Sequence, residues 1–355
     1  MLRESDLGRI VFGCGNFGGI GSAPDLRGAG DSEEQALRLL DHARRLGLRR
    51  FDTANTYGGG ASEEMLGKWL RSQGAAFLQH AQVATKVGNP HGCPPGETPL
   101  SRTQIARHLD QSLRRLGVER IDLYYVHEFD RVTPLEETLE AMTRAVEAGK
   151  IDRFGISNAS LSDVQAIRTL AGASLAARFE YVQNEYNLLA TDDVWTLIPY
   201  CAGHGLRYTA FSPLAGGMLT GKYRHGEAPP PGTRFAQAPG AVAAYVSEES
   251  FAAIERLRRS VELRGETMAS AALRFVLDTP GVDGLIVAPR RLEHFASLGL
   301  EPRWLPVREL PRAQGRPGVI RTPFKMPVGK AGPARLSGAP SRPGPVRTCR
   351  LSRFS

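Results

Sequence analysis

Gly13-Cys14-Gly15-Asn16-Phe17-Gly18 decides between two ways of folding this chain. The six residues fit G-x-G-x-x-G and follow an apolar run, Ile10-Val11-Phe12, that reads as a strand. In a doubly wound dinucleotide-binding sheet this motif must open a helix whose N-terminus receives the pyrophosphate. Here Gly19, Gly21 and Pro24 follow instead, and helical periodicity begins only near Asp31. The acid that should lie roughly 20 residues further on is Asp52, 34 residues past Gly18. The stretch therefore reads as a glycine-rich loop after a first strand.

Outward from that loop, strand and helix alternate about eight times. Strands are expected at Arg9–Cys14, Arg50–Thr53, Gln82–Val87, Ile121–His127, Ile151–Ser157, Phe179–Gln183, Leu206–Phe211 and Gly284–Val287. Between the first two, Ser32–Leu46 carries an apolar face of Ala36, Leu37, Leu39, Leu40, Ala43 and Leu46 behind a Ser32 cap. Ser101–Leu116 and Leu135–Glu147 repeat the pattern, the latter with Thr133 as cap and Pro134 at the first helical position. Two more helices, Ser247–Leu263 and Thr267–Leu277, follow a Gly/Pro-rich loop at Ala215–Gly240. Repeated β-then-α units require a parallel sheet with helical crossovers. Eight of them in about 300 residues predict an α/β fold of the closed (β/α)8 barrel type.

Composition narrows the class. With 41% hydrophobic and 23% charged residues the chain is globular in type. No run approaches the roughly 18 apolar residues of a membrane span, and the charged start MLRESDLGR does not read as a signal peptide. A cytoplasmic protein with no membrane partner is expected. Cys14, Cys93, Cys201 and Cys349 form no CxxC pair and are too sparse for a disulfide scaffold; no metal site is expected. The net charge of +8 is misleading, because residues 301–355 hold 12 Lys/Arg against 2 Asp/Glu and 10 of the 24 prolines. Residues 1–300 keep 33 basic and 35 acidic side chains, a net of −2. The expected organisation is a barrel over residues 1–298 and a basic, Arg/Pro-rich, disordered tail over 299–355.

Reactive groups of such a barrel gather at the C-terminal ends of its strands. Read in order, those ends deliver Asp52, Lys86, His127, Ser157-Asn158, Gln183 and Phe211-Ser212, with Tyr57 just beyond the second strand. Singly, each has an ordinary structural role: a turn cap, a surface lysine, a core histidine. Together they make a proton donor. A phenol near pKa 10 is a weak acid; an adjacent Lys86 ammonium is expected to lower it, with Asp52 keeping the lysine charged. His127 would donate to a carbonyl oxygen as negative charge builds on it.

The segments Phe51-Asp52-Thr53-Ala54-Asn55-Thr56-Tyr57-Gly58, Ala84-Thr85-Lys86-Val87 and Asp122-Leu123-Tyr124-Tyr125-Val126-His127 resemble the signatures of the aldo-keto reductases. So do Gly155-Ile156-Ser157-Asn158, Gln183-Asn184-Glu185-Tyr186-Asn187 and Phe211-Ser212-Pro213-Leu214, in order, from about Leu7 to Glu293. The resemblance implies NADP(H)-dependent reduction of a small-molecule carbonyl, with Tyr57 as acid, Lys86 and Asp52 tuning it, and His127 orienting the carbonyl. It further implies that Ser157, Asn158 and Gln183 hold the nicotinamide carboxamide and that Phe211 stacks on the ring. Ser212, Leu214, Gly216, Leu219 and Lys222 would fold over the pyrophosphate, and Arg290 would bind the 2′-phosphate. Asn16 and Phe17 are expected in the substrate pocket. Two departures stand out: Ser297 and Leu298 occupy positions where the family carries an acidic-amide pair, and the match ends at Gly299.

Two other classes compete. Potassium-channel β subunits resemble the same family, so a cofactor-binding regulatory protein is the alternative. Nucleic-acid binding through the tail would be weak and nonspecific, since its basic residues are dispersed among prolines with few aromatics.

Overall fold

The computed structural model describes residues 4–171, 173–176 and 178–300. Eight parallel strands close into a barrel in sequence order. They are β1 (Ile10–Gly13), β2 (Arg50–Asp52), β3 (Gln82–Val87), β4 (Ile121–Val126), β5 (Ile151–Ser157), β6 (Phe179–Glu185), β7 (Arg207–Phe211) and β8 (Val282–Val287). Closure comes from β1 against β8, with Ile10, Val11 and Phe12 opposite Leu285, Ile286 and Val287. This is the (β/α)8 architecture that the alternation implied.

The crossover helices lie where their apolar stripes require. Glu33–Arg45 buries Ala36, Leu39, Leu40 and Ala43, and Ser32 caps it by accepting from Gln35 N–H. Arg102–Leu116 begins behind Ser101 in the same manner. Leu135–Glu147 differs from expectation: Pro134 is its cap, not its first helical residue, and no side chain caps it. Thr133 instead donates its hydroxyl to Asp130 at 2.6 Å. β6 also runs past its expected end at Gln183, since Asn184 and Glu185 pair with Ala210 and Phe211 of β7. A continuous apolar core lies between the sheet and the helices.

Inside the barrel, Ala84, Leu123, Tyr125 and Tyr181 form a separate small cluster beneath the strand ends. Gly155 makes room for it, because a Cβ there would lie 2.6 Å from the Tyr125 ring. The expected fold boundary at residue 298 falls short of the packing: Leu300 is buried in the core cluster. The rest of the expected disordered tail, 301–355, lies outside the described residues. Among the described residues no helix is long and apolar enough to cross a membrane.

Candidate active site

The strands aim their C-terminal ends into a cavity of about 1270 Å³. At its floor β2 ends on Asp52, and β3 supplies Lys86 from its next-to-last position. Lys86 Nζ lies 2.5 Å from Asp52 Oδ1 and donates to Thr53 O at 2.9 Å and Tyr57 Oη at 3.4 Å. The second Asp52 oxygen accepts from Gln183 Nε2 at 2.9 Å. Both charges are buried, at 1% and 5% side-chain exposure. A buried ion pair survives only with such full hydrogen bonding, because each charge has lost its hydration.

Tyr57 reaches the lysine from a sharp turn. Gly58, Gly59 and Gly60 all have positive φ, and a Cβ on Gly58 would lie 2.5 Å from Phe17 O. The turn leads into the helix Ala61–Arg71 and leaves the phenol half-buried on the cavity wall. His127, just past β4, faces it edge-on with ring centroids 5.6 Å apart.

The electrostatics correct one expectation. Burial pushes the Tyr57 phenol above its ordinary value, and attraction to the Lys86 ammonium pulls it back without cancelling the rise. The phenol is therefore neutral and protonated at rest. Burial works against the Lys86 ammonium, but Asp52 and Tyr57 outweigh it and hold the amine above its usual range. His127 is pulled down to about 3 by burial and by the Lys86 charge, so its ring is neutral at physiological pH. Its Nδ1 is buried without a partner. That leaves Nε2 as the ring nitrogen available to a carbonyl oxygen.

Beyond this group the strand ends bring Ser157, Asn158, Gln183, Phe211 and Ser212 to the same cavity. Asn158 and Ser212 are non-glycine residues with φ of 53° and 50°. Such strain gathers where a side chain or carbonyl must be re-aimed. Asn158 Nδ2 donates to His127 O at 2.9 Å, tying β5 to the histidine. Ser212 O accepts from Asn187 Nδ2 at 3.0 Å. Leu214, Gly216, Lys222 and Arg290 line the outer part, whereas Leu219 packs into a second apolar cluster behind the loop. Asn16 is in the cavity wall. Phe17 is not: it is 1% exposed and packs against Phe12, ring centroids 6.0 Å apart. Phe17 belongs to the core cluster, and the residue after it, Gly18, has a φ of 70°.

Two cavity residues escaped sequence reasoning. Arg234 donates through Nη1 to Asn16 Oδ1 at 2.9 Å, and its Nε is buried with no partner. Asp31 meets Arg290 Nε at 3.0 Å. For Arg234 the only local signal was Thr233, which caps a single helical turn at Arg234–Gln237. Nothing in the Pro/Gly pattern shows that this turn folds back over the barrel mouth.

The cavity lining thus carries amides and hydroxyls together with the cations Lys222, Arg234 and Arg290, Arg234 being close enough to Tyr57 for its charge to act on the phenol. The orphaned Arg234 Nε and the glycines at 216 and 217 suit an anionic, extended ligand approached by backbone. Residues 9–298 match the Aldo/keto reductase family. The chain belongs to that family. It is 33% identical to the uncharacterized oxidoreductase YrpG of Bacillus subtilis, over 81% of this chain and 85% of that one. It is also 33% identical to the L-glyceraldehyde 3-phosphate reductase of Escherichia coli, covering 73% and 76%. The aldo-keto reductase yakc [NADP(+)] of Schizosaccharomyces pombe shares 34% over 54% of this chain and 56% of its own. Aldo-keto reductases reduce carbonyls with nicotinamide cofactors, and the cavity has residues chemically suited to both ends of such a molecule.

Proposed function

We propose that this aldo-keto reductase is a cytoplasmic enzyme that reduces an aldehyde or ketone to the alcohol with NADPH, with Tyr57 as the proton donor. One observation supports this above the others: the Tyr57 phenol lies on the cavity wall with Lys86 Nζ 3.4 Å from its oxygen. When bound, the reduced nicotinamide supplies the hydride. His127, neutral, donates to the substrate carbonyl and orients it. As the carbon gains hydride, the oxygen takes the Tyr57 proton and becomes the alcohol. The phenolate left behind is held by Lys86, which Asp52 keeps charged. A solvent proton then restores the phenol. The protein's part is a preorganised electrostatic environment for charge that appears only in the transition state.

In this reading Ser157, Asn158 and Gln183 hold the carboxamide and Phe211 lies against the ring. Lys222 faces the pyrophosphate, Ser212, Leu214 and Gly216 form the loop beside it, Arg290 meets the 2′-phosphate, and Arg234 stands with Asn16 near Tyr57. Asn16 borders the substrate. Leu219 supports the loop from behind.

The test is fluorescence titration with NADPH and turnover of a reactive aromatic aldehyde, on wild type and Tyr57→Phe. Equal binding by both, with turnover in the variant reduced at least a hundredfold, is expected. Turnover that persists in Tyr57→Phe would remove the phenol from the reaction. Binding without turnover in wild type would favour the regulatory role.

A further inference from the structure

The arginine at the phosphate end of the cavity already has a partner. Arg290 Nε sits 3.0 Å from Asp31 Oδ1, and its Nη1 donates to Gln237 Oε1 at 3.2 Å. Gln35 Nε2 donates to the Arg290 carbonyl at 2.9 Å, fixing the main chain as well. Asp31 is 7% exposed, and its other oxygen, Oδ2, is buried with no partner.

Asp31 is not a mobile surface acid that happens to lie nearby. Its N–H donates to Asn16 O at 2.6 Å, and its carbonyl accepts from Gly18 N at 3.0 Å. The residue before it is a glycine of necessity: a Cβ at Gly30 would lie 2.2 Å from Asn16 O. The first loop therefore closes on itself and delivers one carboxylate into the cavity wall, against the arginine.

We infer that Asp31 sets the dinucleotide selectivity of this cavity, opposing a 2′-phosphate at Arg290 and accepting a ribose hydroxyl instead, so that NADH is admitted beside NADPH. The inference rests on the cofactor reading proposed above. A phosphate dianion reaching Arg290 must share the guanidinium with a fixed carboxylate of like charge, in a partly buried site where screening is weak. A ribose diol brings no charge, and its hydroxyls can donate to the Asp31 carboxylate where it lines the cavity. Carboxylates recognise adenosine ribose by the same chemistry in other dinucleotide sites.

The experiment is a pair of fluorescence titrations, NADPH and NADH, on wild type, Asp31→Asn and Arg290→Ala. Wild type is expected to bind both within about tenfold of each other. Asp31→Asn should tighten NADPH about tenfold, equivalent to ~1.4 kcal/mol, while NADH is unchanged or weaker. Arg290→Ala should weaken NADPH alone. Equal changes for both dinucleotides in Asp31→Asn, or weaker NADPH binding, would overturn the inference. Wild type that binds neither dinucleotide would overturn the cofactor reading itself. Circular dichroism and the urea midpoint report that each variant is folded, and Asp31→Ser makes the same comparison should the asparagine variant not fold.

Discussion

At the scale of single residues, the Tyr57 phenol gains its usefulness from staying protonated. Its upward shift means that it holds its proton through the neutral range, and Lys86 acts on the phenolate once the proton has gone. Lys86→Met is therefore expected to lower kcat by a factor of about 10² to 10⁴ with little change in cofactor Kd. Stopped-flow turnover beside a binding titration checks this, and a loss confined to binding would contradict it. His127 carries a second consequence. Its folded pKa of about 3 lies below the unfolded 6.5, so between these values the unfolded chain binds the extra proton. Stability from keeping this ring neutral is complete above pH 6.5 and is lost as pH falls toward 3. His127→Gln should lose less stability than wild type between pH 7 and pH 4.5, by up to about 2.5 kcal/mol at ~1.4 kcal/mol per pH unit. Urea unfolding at the two pH values measures the difference; identical slopes would refute it. Which side chains meet was legible in the sequence, because strand ends and chemistry coincide at Asp52, Lys86 and His127. The sign of the Tyr57 shift was not, because desolvation depends on the neighbours that folding supplies. Phe17 was misplaced for a related reason: a loop aromatic reads the same whether it turns to the cavity or to the core.

At the scale of elements, the Tyr57 turn is braced from outside the cavity. Glu63, fully buried on the helix after the turn, accepts from Thr85 Oγ1 at 2.7 Å and from Arg115 Nη1 at 3.0 Å. Arg115 also donates to Asn55 O at 3.2 Å. One carboxylate thus links the residue beside Lys86, the helix Arg102–Leu116 and the loop carrying Tyr57. Burial pushes the Glu63 carboxyl up, and Thr85 and Arg115 oppose that push without cancelling it. Arg115→Ala removes the cation and is expected to cost on the order of 3 kcal/mol in unfolding free energy. Glu63→Gln/Arg115→Ala should recover part of that loss, and a double-mutant cycle in urea decides it; additive effects would mean that the two side chains are uncoupled. Sequence periodicity found the helices and strands that this brace joins. It missed the end of β6, since Asn184 and Glu185 break the apolar run. Asn184 satisfies its amide with Ala159 O at 2.8 Å and Asp193 at 2.9 Å, which lets a polar residue continue a strand. Pro134 misled in the same way, because a proline before a helix fits the cap and the first helical position equally well.

At the scale of the whole molecule, charge and fold separate along the chain. Residues 1–300 carry a net charge of −2, while the full sequence carries +8. Among the described residues several barrel cations are paired: Arg115 with Glu63, Arg131 with Asp163, Arg274 with Glu266, Arg290 with Asp31. Any polyanion affinity is therefore expected to come from residues 301–355, whose sequence has 12 basic and 2 acidic side chains. Association with phosphates through dispersed cations is a counterion-release process, so its affinity falls with a log–log salt slope near 0.9 per contact. The full chain is expected to bind duplex DNA weakly, without sequence preference, at low ionic strength, and to lose that binding by about 0.2 M salt. A chain ending after Leu300, the last described residue and one buried in the barrel core, should not bind duplex DNA at any salt concentration. Fluorescence anisotropy with two unrelated duplexes of equal length makes the comparison. Salt-sensitive binding by the shortened chain would place the attraction on the barrel, and a preference for one duplex would show recognition that charge alone does not produce.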